Sequence, residues 1–490
     1  MISASQLYDH VHCPHRVFLD MHGDQSQRDE PNEFVRLLWD QGLMHERELA
    51  GTLGITADLS VVPENERERE TLAAMARHEP LIYSGRLTAG DCVGIPDLLQ
   101  LRGDRYIPGD IKSGSGFEGE ESDGKLKRHY AYQVAHYTAI LETRGMSDGS
   151  REAFIIDRAS QRIPYLLSEP QGVRKKQTWW EDYEVAVGEV RALVAGAPSR
   201  GALAAPCKLC HWKSYCKRTL VESNDLSLIA ELGRSKRDVI ATALPTVRAL
   251  AACNPDDYIH GKKTAFEGIG PDTLRKYHAR ARLLVTPGAR PYLKEPVGLP
   301  VMEREVMFDI ETDPFRDVCY LHGFVERLHG QPATGRYIPY FMEGLGDAEE
   351  KEAFADAWAY LAARARDATI YYYSSYEKTI YKKLAAKYPG VCSVGDVEAL
   401  CAAPNVVDLY TDVVKKKTEW PCYDQSVKTL AQYLGFRWRH PNPSGAASIE
   451  WFHSWIGTRD PRLREDILAY NEDDNLATAV VVDAIRGMER

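Results

Sequence analysis

The stretch GIPDLLQLRGDRYIPGDIKSG, residues 94–114, decides the fold of the first part of the chain. Its β-type runs are separated by glycines, a pattern typical of strands joined by short turns. Residues two apart on a strand point to the same face, so Asp110 and Lys112 are expected side by side. Asp97 lies on the preceding run and supplies a second carboxylate. Two carboxylates can hold Mg²⁺ or Mn²⁺, and a lysine beside them can orient the attacking water molecule.

The organisation around this stretch indicates three parts. A chain of 490 residues is too long for one hydrophobic core to be the default. Residues 1–222 mix helices with short strands, which predicts an α/β domain. Residues 223–290 become helical and richer in Lys and Arg, and we predict a small helical connector. Residues 291–490 return to an α/β pattern and form a predicted third part.

The composition is that of ordinary folded protein, with 44% hydrophobic and 27% charged residues. A formal net charge of −10 argues against an obligate nucleic-acid coat, although carboxylates that hold metals add negative charge. No apolar run reaches the roughly 20 residues that cross a bilayer, so no membrane association is expected. The first residues, MISASQLYDHVHCPHR, lack a basic segment followed by an apolar core, so we expect a cytoplasmic protein.

A D-x-K tripeptide alone is a weak signal, because Asp and Lys often lie together on a solvated strand. Neighbouring segments strengthen it here. QGLMHERELA, residues 41–50, carries Gly42 and His45 on a predicted helix. YQVAHY, residues 132–137, carries Gln133 and Tyr137 one helical turn apart. His45 considered by itself would more often be a structural histidine.

The order G-x-x-H, G-I-P-D, D-I-K and Q-x-x-x-Y resembles the RecB-like branch of the PD-(D/E)XK nucleases, including its CRISPR-associated members. The resemblance covers about residues 1–220 and implies a restriction-endonuclease-like domain. It further implies that His45, Asp97 and Asp110 are metal ligands and that Lys112 orients the nucleophile. Gln133 and Tyr137 would contact nucleic acid or support the site.

Three cysteines lie close together in PCKLCHWKSYC, residues 206–216, with the spacing C-x2-C-x5-C. In a chain without an export signal, cysteines are expected to be reduced, which favours metal binding over disulfides. Three thiolates need a fourth ligand, and sulfur ligands select zinc or an iron–sulfur cluster. The spacing does not choose between these two metals.

The RecB-like resemblance does choose, because relatives hold a [4Fe–4S] cluster with one N-terminal and three C-terminal cysteines. The implied ligands are Cys13, Cys207, Cys210 and Cys216. The alternative is that Cys13 is an unrelated buried thiol and that His211 or His12 completes a zinc site. The other six cysteines show no clustering and are expected to be ordinary buried thiols.

The connector contains FEGIGPDTLRKYHARA, residues 266–281, which resembles a helix-hairpin-helix motif. In that motif the G-I-G turn exposes backbone N–H groups that can hold a phosphate oxygen. The candidate nucleic-acid contacts are Gly268, Gly270, Lys276 and Arg280. The alternative is a turn between helices with a solvated basic face.

A second set of acids begins in VMFDIETDP, residues 306–314, where Asp309 and Glu311 occupy alternate positions of a predicted strand. Near the C-terminus, ILAYNEDDN lies on a predicted helix, and Tyr470 and Asp474 share one face of it. Without this second motif, the D-x-E pair could equally be an edge strand with exposed charges.

The combination resembles the RNase H-like DEDD exonucleases with a tyrosine-type third motif, over about residues 300–490. The resemblance implies four acids that hold two metals and a tyrosine that orients the nucleophile. Relatives usually have Asp in the middle motif, whereas IYYYSSYEKTIYKKL offers Glu377. Asp408, in NVVDLY, and Asp473 are the alternatives for the fourth acid.

These features together predict a Mg²⁺- or Mn²⁺-dependent nuclease that hydrolyses DNA, single-stranded or at its ends, in repair, recombination or defence. The iron–sulfur cluster would be structural, because hydrolysis requires no electron transfer. One alternative is a nucleic-acid-binding scaffold for a partner such as a helicase, with one or both centres degenerate; Glu377 favours it. Another is an RNA-directed exonuclease, since the motifs do not read a 2′-hydroxyl. Digestion polarity and oligomeric state are left open by the sequence.

Overall fold

The computed structural model describes residues 1–31, 33–118, 124–172, 175–441 and 443–489. The chain divides into two compact units. The first consists of Met1–Gly201 and Ala205–Arg218, and the second of Ala202–Ala204 and Thr219–Arg490. Both units combine helices with mixed sheets, so the α/β prediction is confirmed. In the described parts of the chain, no helix is long and apolar enough to span a bilayer.

The first unit contains nine strands and seven helices among its described residues, and the last helix runs across the unit boundary. In chain order they are β1 Ile2–Ser3, α1 Ala4–His12, α2 Pro14–His22, α3 Glu33–Ala50, β2 Ala57–Asp58, α4 Glu64–Ala76, β3 Leu81–Tyr83, β4 Leu87–Ala89, β5 Cys92–Gly94, β6 Leu98–Arg102, β7 Arg105–Ile111, α5 Arg128–Thr143, β8 Glu152–Ile156, β9 Arg162–Leu166, α6 Trp179–Val194 and α7 Lys213–Glu222.

The main sheet of this unit has the order β2-β3-β6-β7-β8-β9. Strands β6 and β7 form an antiparallel pair, and β7 runs parallel to β8 with α5 as the crossover. Gly109, directly before Asp110, is required by packing, because a Cβ there would lie 2.3 Å from the ring of Phe154. The close approach of β8 therefore fixes the strand segment that carries the predicted D-I-K motif.

Helices α1 and α2 meet at Cys13, which has an extended backbone. Ser3 and Gln6 form a capping box at the start of α1, and Pro14 occupies the first turn of α2. The local sequence therefore fixes where α1 and α2 each begin. Helix α1 packs on α5 and α2 packs on α6, around a core that includes Leu7, Val17 and Val190.

The second unit begins with small elements and continues into a five-stranded domain. Its described elements are α8 Gly233–Ile240, α9 Val247–Ala252, β10 Ile259–His260, β11 Lys263–Thr264, α10 Pro271–Val285, β12 Tyr292–Leu293, β13 Arg304–Asp313, β14 Val318–Leu328, β15 Arg336–Phe341, α11 Asp347–Arg364, β16 Ala368–Tyr372, α12 Tyr376–Lys387, α13 Val394–Cys401, β17 Val406–Asp408, a π-helical turn Leu409–Val414, α14 Lys415–Lys417, β18 Thr418–Glu419, α15 Val427–Tyr433, α16 Gly445–Thr458 and α17 Pro461–Met488.

The large sheet of the second unit has the order β15-β14-β13-β16-β17. Strands β13, β14 and β15 are antiparallel neighbours, whereas β16 and β17 run parallel to β13. Val306, Phe308 and Ile310 of β13 enter the core that α11, α12 and α13 cover. The alternate residues face the other side, where α17 packs across β13 and β14. The long terminal helix thus covers the face of β13 that bears Asp309 and Glu311.

The predicted connector, residues 223–290, lies within the second unit. Helices α9 and α10 pack together around Leu250 and Leu274. The segment directly before the G-I-G turn is the antiparallel β10–β11 pair, so the two helices are separated by a short hairpin. Gly268 has φ +70°, which explains the glycine at this turn.

Candidate metal centres

Three carboxylates converge in the second unit. Asp309 and Glu311 come from β13, and Asp474 comes from α17. One oxygen from each lies within 4.8 Å of the others, and among the described residues this is the one such group of three or more possible ligands. Strand alternation explains the first two, and the i, i+4 spacing of Tyr470 and Asp474 explains the third. The structure therefore brings together acids from opposite ends of the domain.

The electrostatics of this cluster favour a bound cation. Burial raises the pKa of Asp309 well above its usual value, and the neighbouring Asp474 raises it further. Burial also raises the pKa of Glu311, with added repulsion from Asp309 and Asp474. The pKa of Asp474 is raised by burial as well. Oxygen-rich, mutually repelling carboxylates suit a hard divalent cation such as Mg²⁺ or Mn²⁺. The donor set fits the metal that the sequence predicts.

Adjacent side chains distinguish Asp474 from Asp473. The indole Nε1 of Trp438 donates to Asp474 Oδ1 over 2.6 Å. Asp473 instead accepts from the backbone N–H and Nε of Arg439, at 2.8 Å and 2.9 Å. The two acids therefore have separate partners, and Asp473 is occupied by an ion pair.

Asn471 holds Asp309 in place. Its side chain is fully buried, and its Nδ2 donates to Asp309 Oδ2 over 2.7 Å. Tyr337 donates its hydroxyl proton to Asn471 Oδ1 over 2.9 Å, which fixes which end of the amide faces the acid. Gly323 lies opposite Asp309 on β14, and a Cβ at this position would stand 1.6 Å from Asn471 Oδ1. A glycine is thus needed for the amide to reach Asp309.

We predict that Gly323→Ala weakens divalent-cation binding, because the added methyl group displaces the Asn471 amide that orients Asp309. The expected loss in Mn²⁺ affinity is about tenfold or more, in the range seen when residues that orient metal ligands are changed. Isothermal titration calorimetry of the purified variant measures it. Gly390→Ala is a useful comparison, because in the described part of the chain that added methyl group would have no heavy atom beyond its own neighbours within 4 Å. Equal Mn²⁺ affinities for Gly323→Ala and wild type would contradict the assigned role.

Glu377 lies five residues after the carboxyl end of β16, at the second position of α12. Because β16 runs parallel to β13, with Tyr372 opposite Phe308, the chain that leaves β16 passes beside Asp309. Burial raises the pKa of Glu377 well above its usual value, and Asp309 and Asp408 raise it further. Among the described residues, no group hydrogen-bonds its buried Oε2. A buried carboxylate oxygen without a partner suits a ligand position.

The other candidate for the middle acid, Asp408, has a local partner. It ends β17 opposite Tyr372, and its Oδ1 accepts from the backbone N–H of Thr411 over 2.7 Å. This bond caps the π-helical turn that follows the strand. Ser374, in the loop before Glu377, has φ 103°, a conformation that L residues rarely adopt. The loop with this strained backbone leads directly to Glu377, whereas Asp408 lies outside it.

Tyr470 completes the second centre together with a residue that the sequence interpretation did not single out. Burial raises the pKa of Tyr470 well above its usual value, and Asp474 contributes. Lys428, on α15, donates to the Tyr470 hydroxyl, and its Nζ lies 3.7 Å from Asp474 Oδ2. Nothing in the sequence singled out Lys428 itself, since a lysine on an amphipathic helix is usually solvated.

The D-I-K segment of the first unit has the arrangement that strand alternation predicts. Lys112 Nζ lies 2.5 Å from Asp110 Oδ2. Asp97 Oδ2 accepts from the backbone N–H of Ile111 over 2.7 Å, and the Asp97 N–H donates to Asp110 Oδ1 over 3.3 Å. Burial raises the pKa of Asp97 well above its usual value, and the Asp110 carboxylate adds to this rise. Two carboxylates and a lysine therefore share one buried edge.

Helix α3 contributes Glu46 to the same region, a residue that the sequence interpretation passed over for His45. Glu46 interacts with Asp97 and raises its pKa, and it accepts from the Tyr83 hydroxyl over 2.7 Å. Nε2 of His45 is buried, and among the described residues nothing hydrogen-bonds it. No signal in the sequence pointed to Glu46, because an acid on a charged helix is usually solvated.

Of the two predicted residues of α5, Tyr137 lies near this centre. Tyr137 is buried, and its pKa is raised well above the usual value by burial, with Asp110, Asp97 and Glu46 as further causes. Gln133 has a buried Oε1 that no described group hydrogen-bonds. The orphaned atoms of His45 and Gln133 suit a metal or substrate, but among the described residues His45, Asp97 and Asp110 do not offer ligand atoms that all lie within 4.8 Å of one another.

The structure also brings the N-terminal cysteine to the C-terminal three. Burial raises the pKa of the Cys210 thiol, and Cys13 and Cys207 are close enough to raise it further. Cys216 lies near His15, two residues after Cys13, since a Cβ at Gly201 would be 3.8 Å from Cys216 Sγ and 3.1 Å from His15 Cδ2. Thiolates of a four-iron cluster each bind a different iron, so they stand further apart than ligands of one ion.

Hydrogen bonds join the two cysteine segments. Asp20 Oδ1, on α2, bonds to Nε2 of His211 over 2.6 Å and accepts from Nε1 of Trp212 over 2.8 Å. Asp29 accepts from the Ser214 N–H over 2.9 Å. Nε2 of His211 is therefore engaged with Asp20. This contact leaves the zinc alternative open, because metal-binding histidines commonly donate their other ring N–H to a carboxylate.

The connector residues have mixed surroundings. Gly268 and Gly270 lie at the open turn before α10, and Lys276 Nζ lies 3.1 Å from Glu231 Oε2. Arg280 is 2% exposed and is bonded to Glu231 and Glu419. A buried guanidinium between two carboxylates does not suit the phosphate contact that the sequence suggested. Arg280 stabilises the interior of the second unit.

The family comparison agrees with the second centre. A family model described as the RNase_H superfamily matches residues 306–486. The match begins in β13 and ends in α17, and it includes Asp309, Glu311, Glu377 and Asp474. It supports an RNase H-like domain in this part of the chain, as predicted. No curated protein matches the chain.

Proposed function

We propose that the protein is a divalent-metal-dependent nuclease that cuts DNA, single-stranded or at its ends, in repair, recombination or defence. The observation that carries the proposal is the convergence of Asp309, Glu311 and Asp474 within 4.8 Å. It occurs in a domain matched by the RNase_H superfamily model, which indicates nuclease-type activity on nucleic acid. Nuclease chemistry requires such carboxylates, because phosphodiester hydrolysis benefits from cations that bind both the attacking and leaving oxygens.

In the proposed second centre, the cation-binding residues are Asp309, Glu311, Glu377 and Asp474. A bound divalent cation would supply charge stabilisation and activate water. Tyr470 lies against Asp474, and its hydroxyl can hold the oxygen of an attacking water. Asn471 and Trp438 keep two of the carboxylates in fixed orientations. These residues thus bind the cation and orient the attacking water. Hydrolysis by this route needs no covalent intermediate.

Glu377→Gln is expected to slow Mn²⁺-dependent cleavage by about 10- to 100-fold, because an amide is a poor replacement for a carboxylate ligand. The metal-free variant should be as stable as wild type or more stable, because the buried carboxylate has no cationic partner to lose. Single-turnover cleavage and urea unfolding measure the two effects. Cleavage at the wild-type rate would exclude Glu377 from the centre and leave the scaffold alternative more plausible.

The raised pKa values of Asp309, Glu311 and Asp474 give a pH prediction. A folded-state pKa above the unfolded value means that the metal-free protein loses stability as pH rises from about 4 toward the folded pKa. Mn²⁺ should restore that stability, and its affinity should increase with pH because protons compete less. In Asp309→Asn one repelling charge is gone, so the metal-free variant should lose less stability as the pH rises. Thermal melts between pH 4 and 8, with and without Mn²⁺, test this; pH-independent Mn²⁺ affinity would contradict it.

We further propose a RecB-like nuclease centre in the first unit, with His45, Asp97 and Asp110 as metal ligands and Lys112 orienting the nucleophile. Glu46 is added as a further acid. Support comes from the shared edge of Asp97, Asp110 and Lys112, and from the buried, unbonded His45 Nε2 within the described chain. Gln133 and Tyr137 would support the site or contact nucleic acid.

We also propose that Cys13, Cys207, Cys210 and Cys216 hold a structural [4Fe–4S] cluster. The proximity of Cys13, Cys207 and Cys210, together with the Asp20 bonds to His211 and Trp212, supports this proposal. Soft thiolate ligands suit iron–sulfur as well as zinc, so the metal itself requires measurement.

The function is tested with labelled single-stranded DNA, duplex DNA and RNA in the presence of Mn²⁺. Wild type is compared with Asp110→Ala, Asp309→Ala and the double variant. Wild type should cut DNA, each single variant should lose the products of one centre, and the double variant should be inert. Equal cleavage by all four proteins would refute the nuclease assignment, and preferential cutting of RNA would replace DNA as the substrate.

A further inference from the structure

Lys428 is the cation that the acids of the second centre share. It lies in the first turn of α15, which Ser426 caps by accepting from the Thr429 N–H. Its Nζ is 3.7 Å from Asp474 Oδ2 and 4.5 Å from the centre of the Tyr470 ring. Its positive charge lowers the pKa of Asp309, Glu311 and Asp474 against the effect of burial. The local sequence therefore places one ammonium group beside the whole cluster.

The hydrogen bond between Lys428 and Tyr470 has a fixed direction. An ammonium group has three donors and no acceptor, so the phenol oxygen must accept from it. The Tyr470 proton is then directed to another acceptor, and Asp474 is bonded to this hydroxyl. Lys428 therefore selects the orientation in which Tyr470 donates toward the acids rather than away from them.

The same position opposes a second positive charge. A cation within 4 Å of a ligand carboxylate repels a divalent ion that binds there, and burial strengthens the repulsion. Lys428 consequently has opposite effects on two measurable quantities. It weakens the binding of a divalent cation, and it orients the Tyr470 hydroxyl proton toward Asp474. A lysine that only stabilised the fold would change both in the same direction.

We infer that Lys428 is a positioning residue of the second centre, which directs the Tyr470 hydroxyl proton toward the metal-binding acids at the expense of divalent-cation affinity. This inference rests on the proposed nuclease function of that centre. It assigns a role to a residue outside the acid and tyrosine motifs.

The test compares Lys428→Met, Lys428→Arg, Tyr470→Phe and the Lys428→Met/Tyr470→Phe double variant in the full chain. Lys351→Met, an exposed lysine on α11, is the control. Calorimetry gives the Mn²⁺ affinity at pH 8, and single-turnover assays give the cleavage rate. Lys428→Met should bind Mn²⁺ at least about threefold more tightly yet cleave about tenfold more slowly. Lys428→Arg should keep the wild-type Mn²⁺ affinity, and the double variant should cleave no more slowly than Tyr470→Phe.

Unchanged or weaker Mn²⁺ binding by Lys428→Met would overturn the inference, as would additive rate losses in the double variant. These outcomes can be distinguished from a failure of the proposed function. A wild type that binds Mn²⁺ but cleaves no nucleic acid refutes the function. The affinity comparison then still decides whether Lys428 opposes the cation, and unchanged affinity in that case rejects its assigned position.

Discussion

Asp474→Asn is expected to reduce Mn²⁺-dependent cleavage at the second centre by about 10³-fold or more, whereas Asp473→Asn should remain within a few-fold of wild type. Loss of a metal-binding carboxylate removes several kcal/mol of charge stabilisation, and each 1.36 kcal/mol is tenfold in rate. The adjacent acids form a matched pair, because Asp474 faces Asp309 and Glu311 while Asp473 pairs with Arg439.

This comparison should be made in an Asp110→Ala background, so that the first centre does not contribute products. Asn at position 474 can still accept the Trp438 hydrogen bond, so the loss should concern charge rather than folding. Circular dichroism and the unfolding midpoint check this. If Asp473→Asn were the more damaging change to cleavage, the assignment of the third-motif acid would be wrong.

Cys210→Ser is expected to remove the visible absorbance of anaerobically purified protein and to lower the unfolding midpoint of the first unit by about 10 °C or more. A structural metal site contributes several kcal/mol to folding, and about 1 kcal/mol corresponds to 2–4 °C in a domain of this size. The midpoint should fall this far because the cluster would join Cys13, near the start of the first unit, to the three cysteines near its end.

Cys92→Ser is the matched control for the cysteine prediction. Cys92 lies in the same unit, on β5, but its polar neighbour is Asp91 rather than another cysteine. It should retain the absorbance and the midpoint. A colourless wild-type protein with stoichiometric zinc would replace the iron–sulfur proposal by a zinc site, and a metal-free stable protein would reject both.

Much of the second centre could be predicted from local periodicity. Asp309 and Glu311 share a strand face, and Tyr470 and Asp474 share a helix face. Short-range geometry is therefore sufficient to pair the residues within each motif. The α/β class followed from the same patterns, whereas the RNase H-like domain was predicted from the resemblance of the two acid motifs to the DEDD exonucleases. The role of Asn471 could not be predicted, because it depends on a glycine, Gly323, that lies opposite Asp309 on a different strand.

The residues that the sequence interpretation missed or misplaced depend on tertiary packing. Glu46 and Lys428 are charged residues on helices, which are usually solvated, and only the fold brings them to buried carboxylates. Arg280 shows the reverse case. It looked like a phosphate contact in a basic segment, but Glu231 and Glu419 enclose it. Charge patterns alone do not reveal which partner a long side chain reaches.

The central claim is that the second centre binds the divalent cation used for hydrolysis, and crystallography with Mn²⁺ tests it most directly. Anomalous diffraction from Mn²⁺-soaked crystals at pH 8 should show a peak bound by Asp309, Glu311 and Asp474, and Asp474→Asn crystals should lose or weaken it. If saturating Mn²⁺ leaves no anomalous peak among these three carboxylates, with Lys428 still against Asp474, the account is contradicted.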